Sequence, residues 1–262
     1  MTASAADSLR IGCVKYLNAQ PLIYGWPGPV DFDHPAALCR KLAAGELDVA
    51  FVSSFEFLRD PSYTIVDHLA VASDGAVGSV FVSLGGALEE IEEIALDPAS
   101  GTSVHLLRCL LAERNLHPRL TTACAENEPA ITDRAARLMI GDQAIRFRAQ
   151  NGDRYGYLDL GAEWKRQTNL PFVFALWLLR PEVAEPGKIA EALRNRRDQN
   201  LAHLDDLIAA HPDFSPEFCV HYFRENLRFE FGEAEKQGLL RFRSLCEQHG
   251  ILSPGVSPLR LV

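Results

Sequence analysis

The residues best suited to hold or transform a small polar molecule stand directly behind apolar runs of strand length. Asn18 lies in YLNAQP, residues 16–21, which follows LRIGCV at 9–14. Its side chain offers both a donor and an acceptor. Ser53 and Ser54 follow LDVAFV at 47–52, Thr102 and Ser103 follow IALD and the turn PASG, and Asp142 follows RLMI and Gly141. In α/β proteins ligands bind beyond the carboxyl ends of such strands. A helix start rich in Ser, Thr and Gly also exposes backbone N–H groups, which suit a carboxylate or a phosphate. Each residue has a plainer use too. Asn18 and the serines can be helix caps, and Asp142 can cap the turn behind its strand or hold a hydroxyl or an ammonium. His105, one turn into its helix, reads as structural.

The chemistry these residues permit is bounded by what accompanies them. No Ser-His-Asp order stands out, the eight histidines show no HExxH spacing, and no loop carries GxxxxGK[ST]. GAVGS at 75–79 is not GxGxxG, so a dinucleotide site is weakly supported. The six cysteines, at 13, 39, 109, 124, 219 and 246, form no CxxC pair, which argues against a redox dithiol or a zinc cage. Hydroxyls, one amide, one acid and helix starts bind a small anionic molecule without advertising a nucleophile. On residues alone, a binding or sensing module and an enzyme of modest catalytic demand stand level.

Strand and helix patterns alternate from 9 to about 180. Short apolar runs at 9–14, 47–52, 63–71, 80–83, 94–97, 120–125 and 155–160 read as strands, and so does RLMI before Gly141. Phe172–Leu179, bounded by Pro171 and Pro181, reads as a buried strand. Helical patterns cover PAALCRKLA from 35, VHLLRCLLAERNL from 104, a short stretch at 131–137, and most of the chain beyond Pro186. Trp164 and Thr168, just before the Phe172 strand, are candidates for a pocket wall. Alternation of this kind favours sheets covered by helices over a β-sandwich. The fold expected is α/β with two lobes facing across a cleft: 1–84 plus 177–262 as the first, with the C-terminal helices returning to complete it, and 85–176 as the second. Phe81 and Phe174 would then lie near the two crossing segments.

Hydrophobic residues make up 47% of the 262 positions, ample for a core. The formal charge of −9 argues against a general nucleic-acid surface. The start MTASAADS lacks the features of a signal peptide, and no run approaches the roughly 18 apolar residues of a membrane span. A cytoplasmic protein without a membrane span is expected.

Taken together, YLNAQPLIYG, GELDVAFVSSFEFL, SDGAVGSV, LDPASGTSVHLLRCLL, GDQAI and DLGAEWKRQTNLPFVFALW resemble, in order, the chorismate dehydratases of the futalosine route to menaquinone. The resemblance implies a fold like the type II periplasmic-binding proteins, used as an enzyme with no metal or organic cofactor. It implies conversion of chorismate to 3-[(1-carboxyvinyl)oxy]benzoate with loss of water. The family's roles fall onto Asn18 and Asp142 as catalytic residues and onto Ser53, Ser54, Ser79, Thr102 and Ser103 as substrate contacts. The proton acceptor is expected to be the enolpyruvyl carboxylate of the substrate itself. A related family making 1,4-dihydroxy-6-naphthoate shares the fold but is expected to use a histidine base, and none stands beside GDQAI. Outside enzymes, the alternative is a cytoplasmic sensor for an aromatic or dicarboxylic metabolite.

Overall fold

The computed structural model of the protein describes residues 9–97, 101–122, 130–255 and 258–262. Positions 98–100 and 123–129, which hold most of the PASG turn and the end of the LTTACA run, lie outside them. The first part of the chain builds β1 (Ile11–Cys13), a 3-10 turn (Leu17–Ala19), α1 (Gln20–Ile23), β2 (Val30–Phe32), α2 (Pro35–Ala43), β3 (Val49–Ser53), α3 (Ser54–Arg59) and β4 (Thr64–Ser73). A second group follows: β5 (Val80–Leu84), β6 (Glu93–Leu96), α4 (Gly101–Glu113), β7 (Arg119–Thr122), β8 (Ala135–Ile140), α5 (Gly141–Asn151), β9 (Gly156–Asp159) and α6 (Leu160–Thr168). The chain then returns through β10 (Phe172–Leu179) to α7 (Pro186–Ala202), α8 (Leu204–Ala209), α9 (Pro216–His221), a π-helical turn (Tyr222–Asn226) and α10 (Glu233–Gln248).

Two five-stranded sheets result, in the orders β2-β1-β3-β10-β4 and β7-β6-β8-β5-β9. They share one plan. Three strands run parallel in each, and the strand that crosses between lobes enters antiparallel beside the third: β10 between β3 and β4, β5 between β8 and β9. All five residues of β3 are buried, as expected of a central strand covered on both faces. β10 is buried at every position except Ala175, so the run between the two prolines is the strand that its composition predicts.

The lobe limits drawn from sequence, 84 and 177, differ from this sheet membership. β5 pairs only within the second sheet and β10 pairs along its whole length within the first. The crossings therefore lie between Ser73 and Val80 and between Thr168 and Phe172. The helix expected over 131–137 is also absent. Ala135–Ile140 is a strand, paired with β5 and β6, and tertiary pairing overrides the helical preference of Ala and Arg there. The helical stretch from Pro186 divides at His203 into α7 and α8.

The outer edge of β4 is covered by later chain. Ala72 and Arg228 exchange backbone hydrogen bonds, and Ile65 donates to Arg260 O while accepting from Val262 N. An edge sealed in this way offers no template for a foreign strand. The C-terminal segments thus complete the first lobe. At the return crossing, Pro171 O accepts from the Trp164 indole N–H at 3.1 Å, and Trp164 is fully buried against Phe172 and Phe242 of α10. Trp164 is therefore core, and Thr168 donates its hydroxyl to Trp164 O. Neither lines the cleft.

Gly238, inside α10, is what allows this crossing to pass so close. A Cβ there would stand 2.1 Å from Pro171 O. Replacing a mid-helix glycine by alanine ordinarily stabilises a helix by about 0.5–1 kcal/mol. Gly238→Ala should instead lower the unfolding free energy by roughly 1–3 kcal/mol, because backbone must move to admit the methyl group. A urea titration checks this, and a variant as stable as wild type would show that the crossing can shift freely.

Candidate active site

The loops behind β1, β3 and β8 and the start of α4 converge between the lobes. They enclose a cavity of about 70 Å³ lined by Asn18, Tyr16, Ser53, Thr102 and Ser103, with Phe51, Phe174, Val80 and Ile140 among its apolar walls. Four of the seven residues singled out from sequence thus meet in one place. Among the cavity's lining residues there is no carboxylate, imidazole or amine, and the Tyr16 phenol is its one titratable oxygen acid. Burial, then the neighbouring Asp97 and Asp142 carboxylates, push that phenol up to about 12.

The local sequence explains how each group is presented. β1 ends at Cys13 and the chain turns through Tyr16 into the 3-10 segment, with Pro21 in the first turn of α1, where its missing N–H costs nothing. No side chain caps either short helix, so Asn18 is not the helix cap that its type suggests. Asn200 of α7 fixes this unit from behind, its amide donating to Pro21 O at 3.1 Å and Tyr24 O at 3.0 Å. The Asn18 Oδ1 atom is buried and accepts no hydrogen bond. A buried acceptor left unpaired costs roughly 1–3 kcal/mol, and a ligand donor would recover it.

Opposite Asn18, the ends of two helices meet across the lobes. The Thr102 hydroxyl, in the first turn of α4, contacts Ser53 Oγ closely and accepts from Phe55 N at 3.2 Å, in the first turn of α3. It thereby occupies a backbone donor at a helix start, the kind of group that otherwise receives an anion. Ser54 lies one layer behind. It is fully buried, donates to Val173 O at 2.7 Å and stands 3.3 Å from Thr102 Oγ1. Ser79 is also fully buried behind the cavity wall, where it accepts from the Tyr222 hydroxyl at 2.7 Å. Ser54 and Ser79 therefore hold the site's framework and do not line the cavity.

Asp142 is placed differently from the sequence expectation. Its carboxylate accepts from Leu17 N at 2.9 Å and faces a separate hollow of about 220 Å³ formed with Lys15, Arg146, His211 and Asp213. It holds the turn that carries Asn18 and does not line the inner cavity. Burial is the main cause raising its carboxyl above the ordinary range, opposed by the Leu17 N–H and by Arg146 and His211. Arg146 extends this clasp between the lobes, pairing with Asp213 at 3.3 Å and lying 5.0 Å over the Phe214 ring. Gly141, at φ +61°, makes room for it: the Tyr16 ring would lie 3.1 Å from a Cβ there.

Two further residues shape the site without having been singled out. Tyr222 comes from the helical tail, where no chemistry was expected. Its fully buried hydroxyl serves Ser79 and stands within hydrogen-bonding reach of the Asn18 side chain, and burial raises its phenol. Asp159 accepts from Val77 N, Gly78 N and Ala162 N, fastening the first crossing to the start of α6. The cap position before a helix was a readable signal for Asp159; nothing local marked Tyr222. His105 stacks on Phe55 at 3.8 Å between ring centres, and burial first, then Arg108, pulls its imidazole down to about 4. The described residues contain no group of three or more His, Cys, Asp or Glu arranged to hold a metal, and no helix long and apolar enough to cross a membrane.

Comparison with known proteins gives this geometry a lineage. The chain is 33% identical over 255 residues to a chorismate dehydratase of Thermus thermophilus, a match spanning 88% of this chain and 93% of that one. It is 25% identical over 234 residues to a chorismate dehydratase of Campylobacter jejuni, spanning 88% and 91%. Among solved structures, an Archaeoglobus fulgidus protein superimposes with a TM-score of 0.75 at 17% identity, over 95% of this chain and 100% of that one. The periplasmic aliphatic sulphonate binding protein of Escherichia coli superimposes with a TM-score of 0.63 at 14% identity, over 95% and 94%. The fold is therefore that of the periplasmic-binding proteins, as the two sheets and the cleft between them require. A family model described as menaquinone biosynthesis matches residues 9–248, and the chain belongs to that family, together with its chorismate dehydratases.

Proposed function

We propose that the protein is a hydro-lyase that converts chorismate to 3-[(1-carboxyvinyl)oxy]benzoate and water, the first step of the futalosine route to menaquinone, acting in the cytoplasm. One observation carries the reading beyond family membership. The inner cavity presents an unpaired acceptor, Asn18 Oδ1, among hydroxyls and apolar walls, with no carboxylate, imidazole or amine among the described residues that line it. A site of this composition suits a reaction in which the substrate brings its own base. Loss of the C3 proton and the C4 hydroxyl makes the ring aromatic, so the step needs orientation and charge stabilisation more than a strong catalyst.

Placement supports the following roles. Asn18 Oδ1 accepts from the ring hydroxyl and orients it for departure, and Tyr222 keeps the amide in that attitude. A substrate carboxylate takes the place that Thr102 now fills at the start of α3, or binds the N–H groups at the start of α4, with Ser53 and Ser103 beside it. The enolpyruvyl carboxylate takes the C3 proton, and that proton leaves with the hydroxyl as water. Asp142 serves as a positioning residue for the Asn18 turn; its carboxylate is bound to Leu17 N and faces the other hollow, which argues against direct proton transfer.

Incubation with chorismate, followed by mass spectrometry for loss of water, tests the reading directly; an intact substrate would sink it. Asn18→Ala should lower kcat by the equivalent of roughly 2–4 kcal/mol, by analogy with the loss of one oriented donor at a developing charge. Folding should lose little, since the Asn18 oxygen accepts nothing in the free protein and only the amide's contact with the Tyr222 hydroxyl is given up. A wild-type rate would take Asn18 out of the reaction. The rate of wild type should also be nearly flat from about pH 6 to about pH 9, because a substrate carboxylate is already ionised there and Tyr16 stays protonated. A bell-shaped profile centred near neutrality would point to a protein acid–base pair instead.

Asp142 has a separate signature. A carboxyl raised on folding contributes most to stability below its unfolded range, and that contribution is lost as pH rises through the folded value. Asp142→Asn keeps an acceptor for Leu17 N and removes the titration. The variant should therefore gain stability over wild type as pH rises from about 4 to about 7, with the two converging in acid. Thermal melts across that window read the difference, and a gap independent of pH would show that burial does not govern this carboxyl.

A further inference from the structure

The inner cavity does not hold a substituted six-membered ring as it stands. At about 70 Å³ it is well below the roughly 150 Å³ of a protein cavity that accepts benzene. A second void of about 560 Å³ adjoins it, between α2 and α3 on one side and β6, β7 and α4 on the other. Pro35, Ser53 and Gly101 belong to the walls of both, and so form a neck between them. The opposite flank of the site is clasped shut by Asp142 on Leu17 and by Arg146 on Asp213 and Phe214.

The charges around the larger void differ in whether they are already used. Arg59 is paired with the buried Glu56 at 2.6 Å. The Asp97 carboxylate accepts from Gln143 Nε2 of α5, and burial favours the neutral His105 imidazole. Arg40 is exposed on the second turn of α2 and has no ionic or hydrogen-bonding partner among the described residues. The chain as a whole carries −9, which repels an approaching dianion. With Arg40 and Arg59 set against Glu56 and Asp97, the chamber's lining carries no formal net charge within an acidic chain, and the unpaired Arg40 guanidinium can bind a carboxylate through two parallel hydrogen bonds.

We propose that the chamber lined by α2 and α4 is the route by which a dicarboxylate substrate reaches the inner cavity, and that Arg40 captures it there by one carboxylate before the lobes close. This rests on the dehydratase reading for its substrate, while the route itself rests on the neck and on the clasp at the other flank. Arg40 acts on capture and not on the chemical step, so its loss falls on kcat/KM and leaves kcat near that of wild type.

Steady-state kinetics on chorismate with wild type, Arg40→Gln, Arg40→Glu and Arg40→Lys test it at low and at physiological ionic strength. Arg40→Glu should lose at least about tenfold in kcat/KM at low salt with kcat little changed, Arg40→Gln should lose less, and Arg40→Lys should recover most of it. The salt sensitivity of kcat/KM should fall in Arg40→Gln. Arg241→Glu on α10, outside the chamber, makes the same change in net charge and should have little effect. If wild type turns chorismate over and Arg40→Glu matches it in kcat/KM, or Arg241→Glu lowers kcat/KM as much, the capture role is overturned while the dehydratase reading stands. If wild type leaves chorismate unchanged, it is the dehydratase reading that fails.

Discussion

The insertion of β10 between β3 and β4 is the constraint on which both the fold and the site depend. Eight almost wholly buried residues, entering antiparallel, require the chain to leave the first lobe, build the second and come back. Apolar burial of that strand supplies the driving force, since each large side chain removed from water is worth about 1.5–3 kcal/mol. The same strand furnishes working parts. Phe174 and Ala175 wall the inner cavity, and Val173 O holds the Ser54 hydroxyl that backs Thr102. A change in the register of β10 would displace core and site together.

Behind the cleft one apolar core runs through both lobes, with Phe55 stacked on His105 and Trp164 against Phe242, while at the cleft itself the lobes meet through small polar contacts. On one flank a carboxylate holds a backbone N–H and an arginine reaches an aspartate and a ring. In the middle, hydroxyl meets hydroxyl at Ser53 and Thr102. Exposed ion pairs such as Arg146–Asp213 are worth about 1 kcal/mol or less. Contacts of that size can be exchanged for contacts to a ligand while the shared apolar core behind them stays packed.

Much of this was legible in the chain because strands buried on both faces are continuous apolar runs, and because the polar residue that ends such a run must stand at a sheet edge. Asn18, Ser53, Thr102 and Ser103 were found by that rule. The rule is blind to direction: it placed Asp142 at a strand end but could not say that its carboxylate turns toward Leu17, away from the cavity. Nor could it say that Ser54, next to Ser53 at the end of β3, points to Val173 O, or that Ser79, just before β5, is taken up by Tyr222, so that neither lines the cavity. β8 was misread in part because Ala and Arg favour helices locally, whereas pairing with β5 and β6 is decided by residues far away. Tyr222 was hidden for a similar reason, as its partner Ser79 lies 143 positions earlier. The first crossing lies a few residues before the sequence limit because a Gly-rich segment looks the same whether it turns within a lobe or leaves it, and the return crossing precedes β10 because that strand pairs along its whole length in the first sheet.

The unpaired Asn18 oxygen has a consequence for the end of the reaction as well as its start. On the dehydratase reading, the ring hydroxyl that satisfies it is the group expelled. The aromatic product then faces an acceptor it cannot satisfy, in a cavity whose remaining walls are largely apolar. Substrate and product share both carboxylates and the ring, yet differ at the one place where the empty protein is short of a donor. Aromatisation thus erases one of the contacts by which the ligand was held, and on that reading the site favours its substrate over its own product.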